Sequence, residues 1–332
     1  MSYVTVKGPT GYGLMSLTWR PTPLSQQQCF DVINYALDQG VTFFNSGEFY
    51  GNNDDKVAGL KLLKAYFEKY PENRARMTIC VKGSCRLDTM MPDNSKEYLV
   101  ESVENICSFF PDGKLDLFEP ARLDLVHPIE ETITNLVSLV NSGKIGGIAL
   151  SEVSADSIRR AYKVFPHISY VEEEFSMMST TILHDGVNDA CRDLGIPIVA
   201  YSPLGRGYLT GTVKSMSDIP QGDIRRYLGR FNSDEILKAN FSLVELVGKM
   251  AKKKNVTEAQ IALAWIRKHN QFPEKYATYI PIPSASTVLR MKENLEVIEL
   301  TDEEFDELNK GIEGIEVKGW RYNEMAEHFL EV

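Results

Sequence analysis

The 332-residue sequence predicts an α/β fold, the eight-stranded parallel (β/α)8 or TIM barrel, on three observations. About eight short apolar runs recur, each followed by a helical pattern. The runs are continuously apolar rather than alternating, which suits a parallel sheet covered on both faces. No G-x-G-x-x-G opens a helix after a strand, which disfavours the other architecture that fits, a doubly wound open sheet. No linker, low-complexity segment or shift of composition interrupts the chain, so residues 1–332 read as one domain.

Thr10 to Thr18 opens with glycines, continues apolar, and reads as the first strand. Ser25 and Gln28 form a capping box ahead of Phe30, Ile33, Ala36 and Leu37, and Gly40 stops that helix. A strand at 41–45 follows, then a helix ending before Pro71 and a strand at 77–82. A helix near 95–110 precedes a strand at 115–119, and His127-Pro128 begins the next helix. Strands at 145–150, 168–172 and 197–201 alternate with helices at 155–165 and 182–194, the latter ended by Gly195. A polar, Gly- and Arg-rich stretch runs to about 232. Two helical segments follow, the second capped by Thr257 and Gln260, then the last strand at 278–282 and a helix capped by Thr301 and Glu304.

Composition narrows the function. Hydrophobic content of 43% and charged content of 25% are ordinary for a soluble globular chain with a large core. The apolar runs are too short to span a membrane. A net charge of −10 argues against nucleic acid or an anionic membrane as partner, so an anionic cofactor requires a local basic pocket. Five cysteines without C-x-x-C read as reduced thiols in a cytoplasmic protein, and the five histidines form no metal-site spacing.

Barrel enzymes carry their chemistry at the C-terminal ends of the strands. Those positions hold Asn45 with Tyr50 nearby, Lys82, Glu119 to Ala121, Ser151 with Glu152, Glu172, Tyr201 and Ser284. A buried-edge tyrosine is commonly plain core. With a lysine on the neighbouring strand it becomes an acid, because an ammonium stabilises phenolate and lowers the phenol from its usual value of about 10. Tyr201-Ser-Pro-Leu-Gly-Arg-Gly offers an aromatic face, then a hydroxyl, glycines and Arg206, a set that suits an aromatic cofactor ring followed by a pyrophosphate, or, with Pro203 and the glycines, a plain turn. Pro283 to Asn294 is a hydroxyl-rich loop entering a helix with Arg290 in its first turns, which reads as an anion site or as an ordinary N-cap on a surface helix.

Together these residues resemble the aldo-keto reductase superfamily of (β/α)8 barrels, over nearly the whole chain. The resemblance implies carbonyl reduction with NADPH and no metal. It sets Tyr50, in G-V-T-F-F-N-S-G-E-F-Y-G, at the catalytic tyrosine and Lys82 at its lysine partner. Ser151 matches the serine that holds the nicotinamide amide, Glu172 stands where a glutamine shares that task, and Tyr201 matches the tyrosine stacked on the nicotinamide ring. Ser202, Leu204 and Arg206 fall in the pyrophosphate segment. Ser284 and Arg290 fall in the 2′-phosphate loop, with Glu293 and Asn294 near adenine. The sequence also departs from the pattern. Asn45 replaces an aspartate, Ala121 a histidine, Glu152 an asparagine, and Ser284 a basic residue.

T-G-Y-G-L-M-S-L-T-W-R, F-E-P-A-R and I-G-G-I-A-L-S-E-V-S resemble the fungal pyridoxal reductases, which implies reduction of pyridoxal to pyridoxine. Ala121 leaves room for the ring substituents of such a substrate, with Glu119 or Arg122 as polar contacts there. Two other readings stay open. One is a general aldehyde reductase. The other is a weakly catalytic cofactor-binding sensor, as the related channel β-subunits are.

Overall fold

A computed structural model describes residues 3–52 and 54–332. Eight parallel strands stand side by side in chain order: β1 (Tyr12–Gly13), β2 (Phe43–Gly47), β3 (Thr78–Gly83), β4 (Leu117–Pro120), β5 (Ile148–Ser151), β6 (Ile168–Glu174), β7 (Ile198–Tyr201) and β8 (Tyr279–Pro281). The Gly11 N–H donates to the Pro281 carbonyl at 3.0 Å, which brings the last strand back against the entry to the first. The sheet is therefore a (β/α)8 barrel.

The helices are α1 (Met15–Thr18), α2 (Gln26–Asp38), α3 (Ala58–Lys69), α4 (Lys96–Cys107), α5 (Ile129–Asn141), α6 (Ala155–Val164), α7 (Val187–Leu194), α8 (Asp234–Lys254), α9 (Glu258–Lys268), α10 (Val288–Leu295), α11 (Asp302–Glu313) and α12 (Glu324–Glu327). The three capping boxes expected at Ser25, Thr257 and Thr301 all form. Gly40 leaves α2 in the left-handed region at φ 86°.

Two expected elements differ. The run 10–18 is a two-residue strand followed by α1, because the chain turns away once Leu14 N–H has bonded the Asn45 carbonyl at 2.9 Å. The helix expected at 182–194 is a single 3-10 turn, Thr181–Leu183, and then α7. Between them lie Gly186 at φ 92° and the Asp185 carboxylate, which accepts from Val187 N–H at 2.9 Å.

Side chains alternate across each strand. Phe44, Ile79, Val81, Phe118, Ile148, Leu150 and Val171 point outward into the core shared with the helices. Phe43, Cys80, Leu117, Ala149, Tyr170 and Val199 fill the lumen. Two residues further along each strand, toward the C-terminal end, period two therefore aims Asn45, Lys82, Glu119, Ser151, Glu172 and Tyr201 into one layer above that apolar floor.

Candidate active site

Four of these layer residues form one cluster. Lys82 Nζ is ion paired with Glu172, donates to Asn45 Oδ1 at 3.1 Å and lies 3.6 Å from Glu119. Asn45 Nδ2 donates to Glu172 Oε2 at 2.6 Å. Tyr170, in the floor, donates its hydroxyl to Glu119 Oε2 at 2.7 Å. All are buried. Burial and the charge of Glu119 push the Glu172 carboxyl up to about 8, against the pull of Lys82. Burial works against the Lys82 ammonium, but Glu119 and Glu172 outweigh it and hold its pKa well above the ordinary lysine value.

Tyr50 sits in the loop after β2. The loop is anchored by Glu48, whose buried carboxylate accepts from Ser102 and Asn105 of α4, each at 2.6 Å. The Tyr50 carbonyl accepts from Thr18 Oγ1 and from Gly59 N–H, both at 2.8 Å, and its ring packs on Trp19 and Phe49. The ring folds back over Gly47, where a Cβ would lie 2.6 Å from it, so glycine is required at that strand end. The short helix α1 thus supports the Tyr50 loop.

The expectation of a lowered Tyr50 phenol is corrected. Burial pushes it up to about 12, and the charges of Glu172 and Glu119 add to that rise, while Lys82 pulls it down. The lysine acts in the expected direction, but its charge is already shared with two carboxylates.

The far side of the mouth is built by β4 to β7 and by the chain after Gly319. Arg122 Nη1 donates to the Ala121 carbonyl at 2.5 Å and to Ser151 Oγ at 3.4 Å, and no carboxylate pairs with it among the described residues. Glu152, fully buried at φ 54°, accepts from the Tyr201 hydroxyl at 2.6 Å and from Arg321 at 2.5 Å. Tyr201 also meets the Tyr322 hydroxyl at 3.0 Å. The Arg122 and Arg206 guanidinium groups both lie over the Tyr322 ring, 5.4 and 4.9 Å from its centroid. Burial opposes ionisation of the Tyr322 phenol, but Arg206 and Arg122 outweigh it and lower its pKa.

A nucleotide cofactor fits the turn after β7. Ser202, Gly205, Arg206 and Gly207 all have left-handed backbone, at φ 49°, 54°, 55° and 89°. Leu204 packs its side chain against the core beneath them. Arg206 Nη2 is buried and faces Glu174 Oε2 at 3.9 Å, too far for a hydrogen bond, so it keeps the capacity to donate to an anion. At the β8 end, Ser284 Oγ donates to the Gly13 carbonyl at 2.5 Å, so that hydroxyl is already engaged. Arg290 is exposed in the first turn of α10, Glu293 is half-buried, and buried Asn294 donates to the Ser284 carbonyl at 3.4 Å. Ser284, Arg290, Glu293 and Asn294 thus share one loop and helix.

The structure gathers Tyr50, Lys82, Ser151, Glu172 and Tyr201 at one mouth, but Glu172 engages Lys82 and Asn45 rather than standing free beside Ser151. Glu119 likewise faces Lys82 and Tyr170, not the space beside Ala121. Sequence reasoning missed Tyr170, Glu174, Arg321 and Tyr322. One signal was present: Glu172-Glu173-Glu174 places three carboxylates in a strand covered on both sides, which demands partners. For Arg321 and Tyr322, far along the chain, no local signal exists. Among the described residues no group of three or more His, Cys, Asp or Glu side chains could hold a metal ion, and no helix is long and apolar enough to cross a membrane.

These residues gather at the C-terminal ends of a parallel barrel's strands, where barrel enzymes carry their chemistry. The chain belongs to the aldo/keto reductase family, whose family model matches residues 9–313. It is 42% identical to a putative pyridoxal reductase of Saccharomyces cerevisiae, over 96% of each chain. It is 38% identical to a probable pyridoxal reductase 2 of Schizosaccharomyces pombe, over 98% of this chain and 97% of that one. Among solved structures, a glycerol dehydrogenase from Gluconobacter oxydans superposes with a TM-score of 0.76 at 18% identity, covering 95% of both chains, a likeness of fold.

Proposed function

We propose that the protein reduces pyridoxal to pyridoxine with NADPH. The observation that carries the reading is that one barrel mouth holds a buried phenol, Tyr50, a buried ammonium, Lys82, and a guanidinium, Arg122, that has no carboxylate partner among the described residues. The two relatives described as pyridoxal reductases support the substrate. The cofactor, when bound, would supply hydride for the carbonyl carbon. Tyr50 keeps its proton throughout the neutral range and gives it to the carbonyl oxygen, and Lys82 stabilises the phenolate left behind. Arg122 suits an anionic ring oxygen beside the aldehyde. Ala121 presents no hydrogen bond and leaves space, so the carbonyl relies on activation from its own electron-poor ring. Arg206 and Arg290 hold the anionic parts of the cofactor, and Arg290 favours the 2′-phosphate.

The test is consumption of NADPH and of NADH with pyridoxal, with nitrobenzaldehydes, with simple alkyl ketones and with no carbonyl. The expected order is pyridoxal above nitrobenzaldehydes, with little turnover of ketones. Equal rates on alkyl ketones would overturn the substrate, and no carbonyl-dependent consumption would overturn the enzyme.

A further inference from the structure

Among the described residues Lys82 is buried with two carboxylates and no second cation in contact: Glu119 from the neighbouring strand β4, and Glu172 from across the lumen on β6. The group that Lys82 meets on its other neighbouring strand, β2, is neutral. Asn45 stands between the lysine and Glu172 and uses both ends of its amide: Oδ1 accepts from Lys82 Nζ at 3.1 Å, and Nδ2 donates to Glu172 Oε2 at 2.6 Å. A carboxylate at position 45 would keep the first contact. It would turn the second into two carboxyl oxygens at hydrogen-bond distance, which can stay together only with a proton held between them. An amide at position 172 would reverse that second bond if position 45 were a carboxylate. The cluster therefore has two arrangements with the same complement of hydrogen bonds, carboxylate on β6 with amide on β2, or the converse.

We propose that Asn45 and Glu172 act as one exchangeable unit that positions and charges Lys82, with Glu172 supplying from across the lumen the counter-charge that β2 does not. This rests on the reading of Tyr50 and Lys82 as the acid and its stabiliser. Glu172 acts through Lys82 and does not touch the reacting carbonyl. The groups that face it are Lys82 from β3, Glu119 and Arg122 from β4 and its end, Asn45 from β2, Tyr170 from its own strand and Tyr50 from the β2 loop. Glu172 titrates near 8, so the hold on Lys82 changes with pH in a range accessible to assay.

The test is a double-mutant cycle on the full-length protein: Glu172→Gln, Asn45→Asp and the pair together. Three readouts apply: pyridoxal reduction across pH, cofactor affinity by fluorescence titration, and urea unfolding. Glu172→Gln leaves two facing amides and a lysine with only the more distant Glu119, and is expected to lose about tenfold to a hundredfold in kcat, together with the inflection near pH 8. Asn45→Asp crowds a third carboxylate into the cluster and loses a similar factor. The double variant is expected to recover at least tenfold over either single variant, with stability recovering in parallel.

A double variant as poor as the product of the two singles would overturn the exchange. So would a Glu172→Gln variant with the wild-type pH profile. Tyr50→Phe, run alongside, keeps the outcomes apart. If it turns over normally, the acid assignment fails, while unfolding of the four proteins still decides whether positions 45 and 172 are coupled.

Discussion

Removing the Lys82 ammonium should destabilise the protein by an amount that grows with pH. In Lys82→Met the side chain keeps most of its length but leaves Glu172 without its ion pair, Asn45 Oδ1 without its donor at 3.1 Å, and Glu119 without the cation 3.6 Å away. Breaking a buried pair from one side costs about 3–5 kcal/mol when the remaining charge stays ionised. Glu172 has an escape, because it can take up a proton. Its folded value, about 8, lies above the ordinary 4.5, so the folded state binds that proton more tightly than the unfolded chain does, and stability falls as pH rises between those values. Without Lys82 the value rises further and the loss extends to higher pH. Near pH 6 the variant should therefore lose only about 1–3 kcal/mol, the scale of a hydrogen bond left unmade, and near pH 9, one pH unit above the wild-type value, about 1.4 kcal/mol more. Urea unfolding at the two pH values gives both numbers, with the denaturant slope as a check that the unfolded state is unchanged. A loss under ~1 kcal/mol, or one equal at both pH values, would refute the charge arrangement.

The other predictions concern chemistry and recognition. Tyr50→Phe should lose roughly 10²–10⁴-fold in kcat while cofactor affinity, read by fluorescence titration, stays within about threefold. Arg290→Ala should weaken NADPH relative to NADH by about tenfold, the low end for a bond to a charged group, because Arg290 is exposed on α10; unchanged cofactor preference would count against it. Ala121→His should lower kcat/KM for pyridoxal by about tenfold through crowding beside Arg122 and raise it for small unactivated aldehydes; a uniform gain on every substrate would show that ring size plays no part.

The barrel was legible because its evidence is local. Continuous apolar runs, three capping boxes and glycine stops are written in adjacent residues, and the capping boxes form where expected, whereas the first strand and the helix before Gly195 are shorter than their patterns. The layer of site residues was legible for the same reason, since period two and a strand end locate Asn45, Lys82, Glu119, Ser151, Glu172 and Tyr201. How those residues meet was not legible. Asn45 and Glu172 read as two unrelated departures from a family pattern, yet their side chains touch at 2.6 Å across 127 positions of sequence. The sign of the Tyr50 shift was missed because a neighbouring lysine can be counted from sequence, whereas the two carboxylates that share it, and the burial of the phenol, depend on closure of the barrel. The residues after Gly319 that complete the mouth, Arg321 and Tyr322, join it only through tertiary contacts with Glu152 and Tyr201.

The cross-lumen pairing also bears on how the chain folds. Lys82 and Glu172 lie 90 residues apart and on strands that are not neighbours in the sheet, so neither local helices nor strand-by-strand addition brings them together. Until β6 is in place and the sheet has curled, both groups remain in water, where their attraction is weak. The cluster therefore belongs to the last stage of assembly, after most of the apolar surface has been buried. Substitutions within it should leave refolding nearly as fast as before and appear almost wholly as faster unfolding. The lifetime of the native state, more than the speed of reaching it, should therefore respond to changes in the few side chains around Lys82.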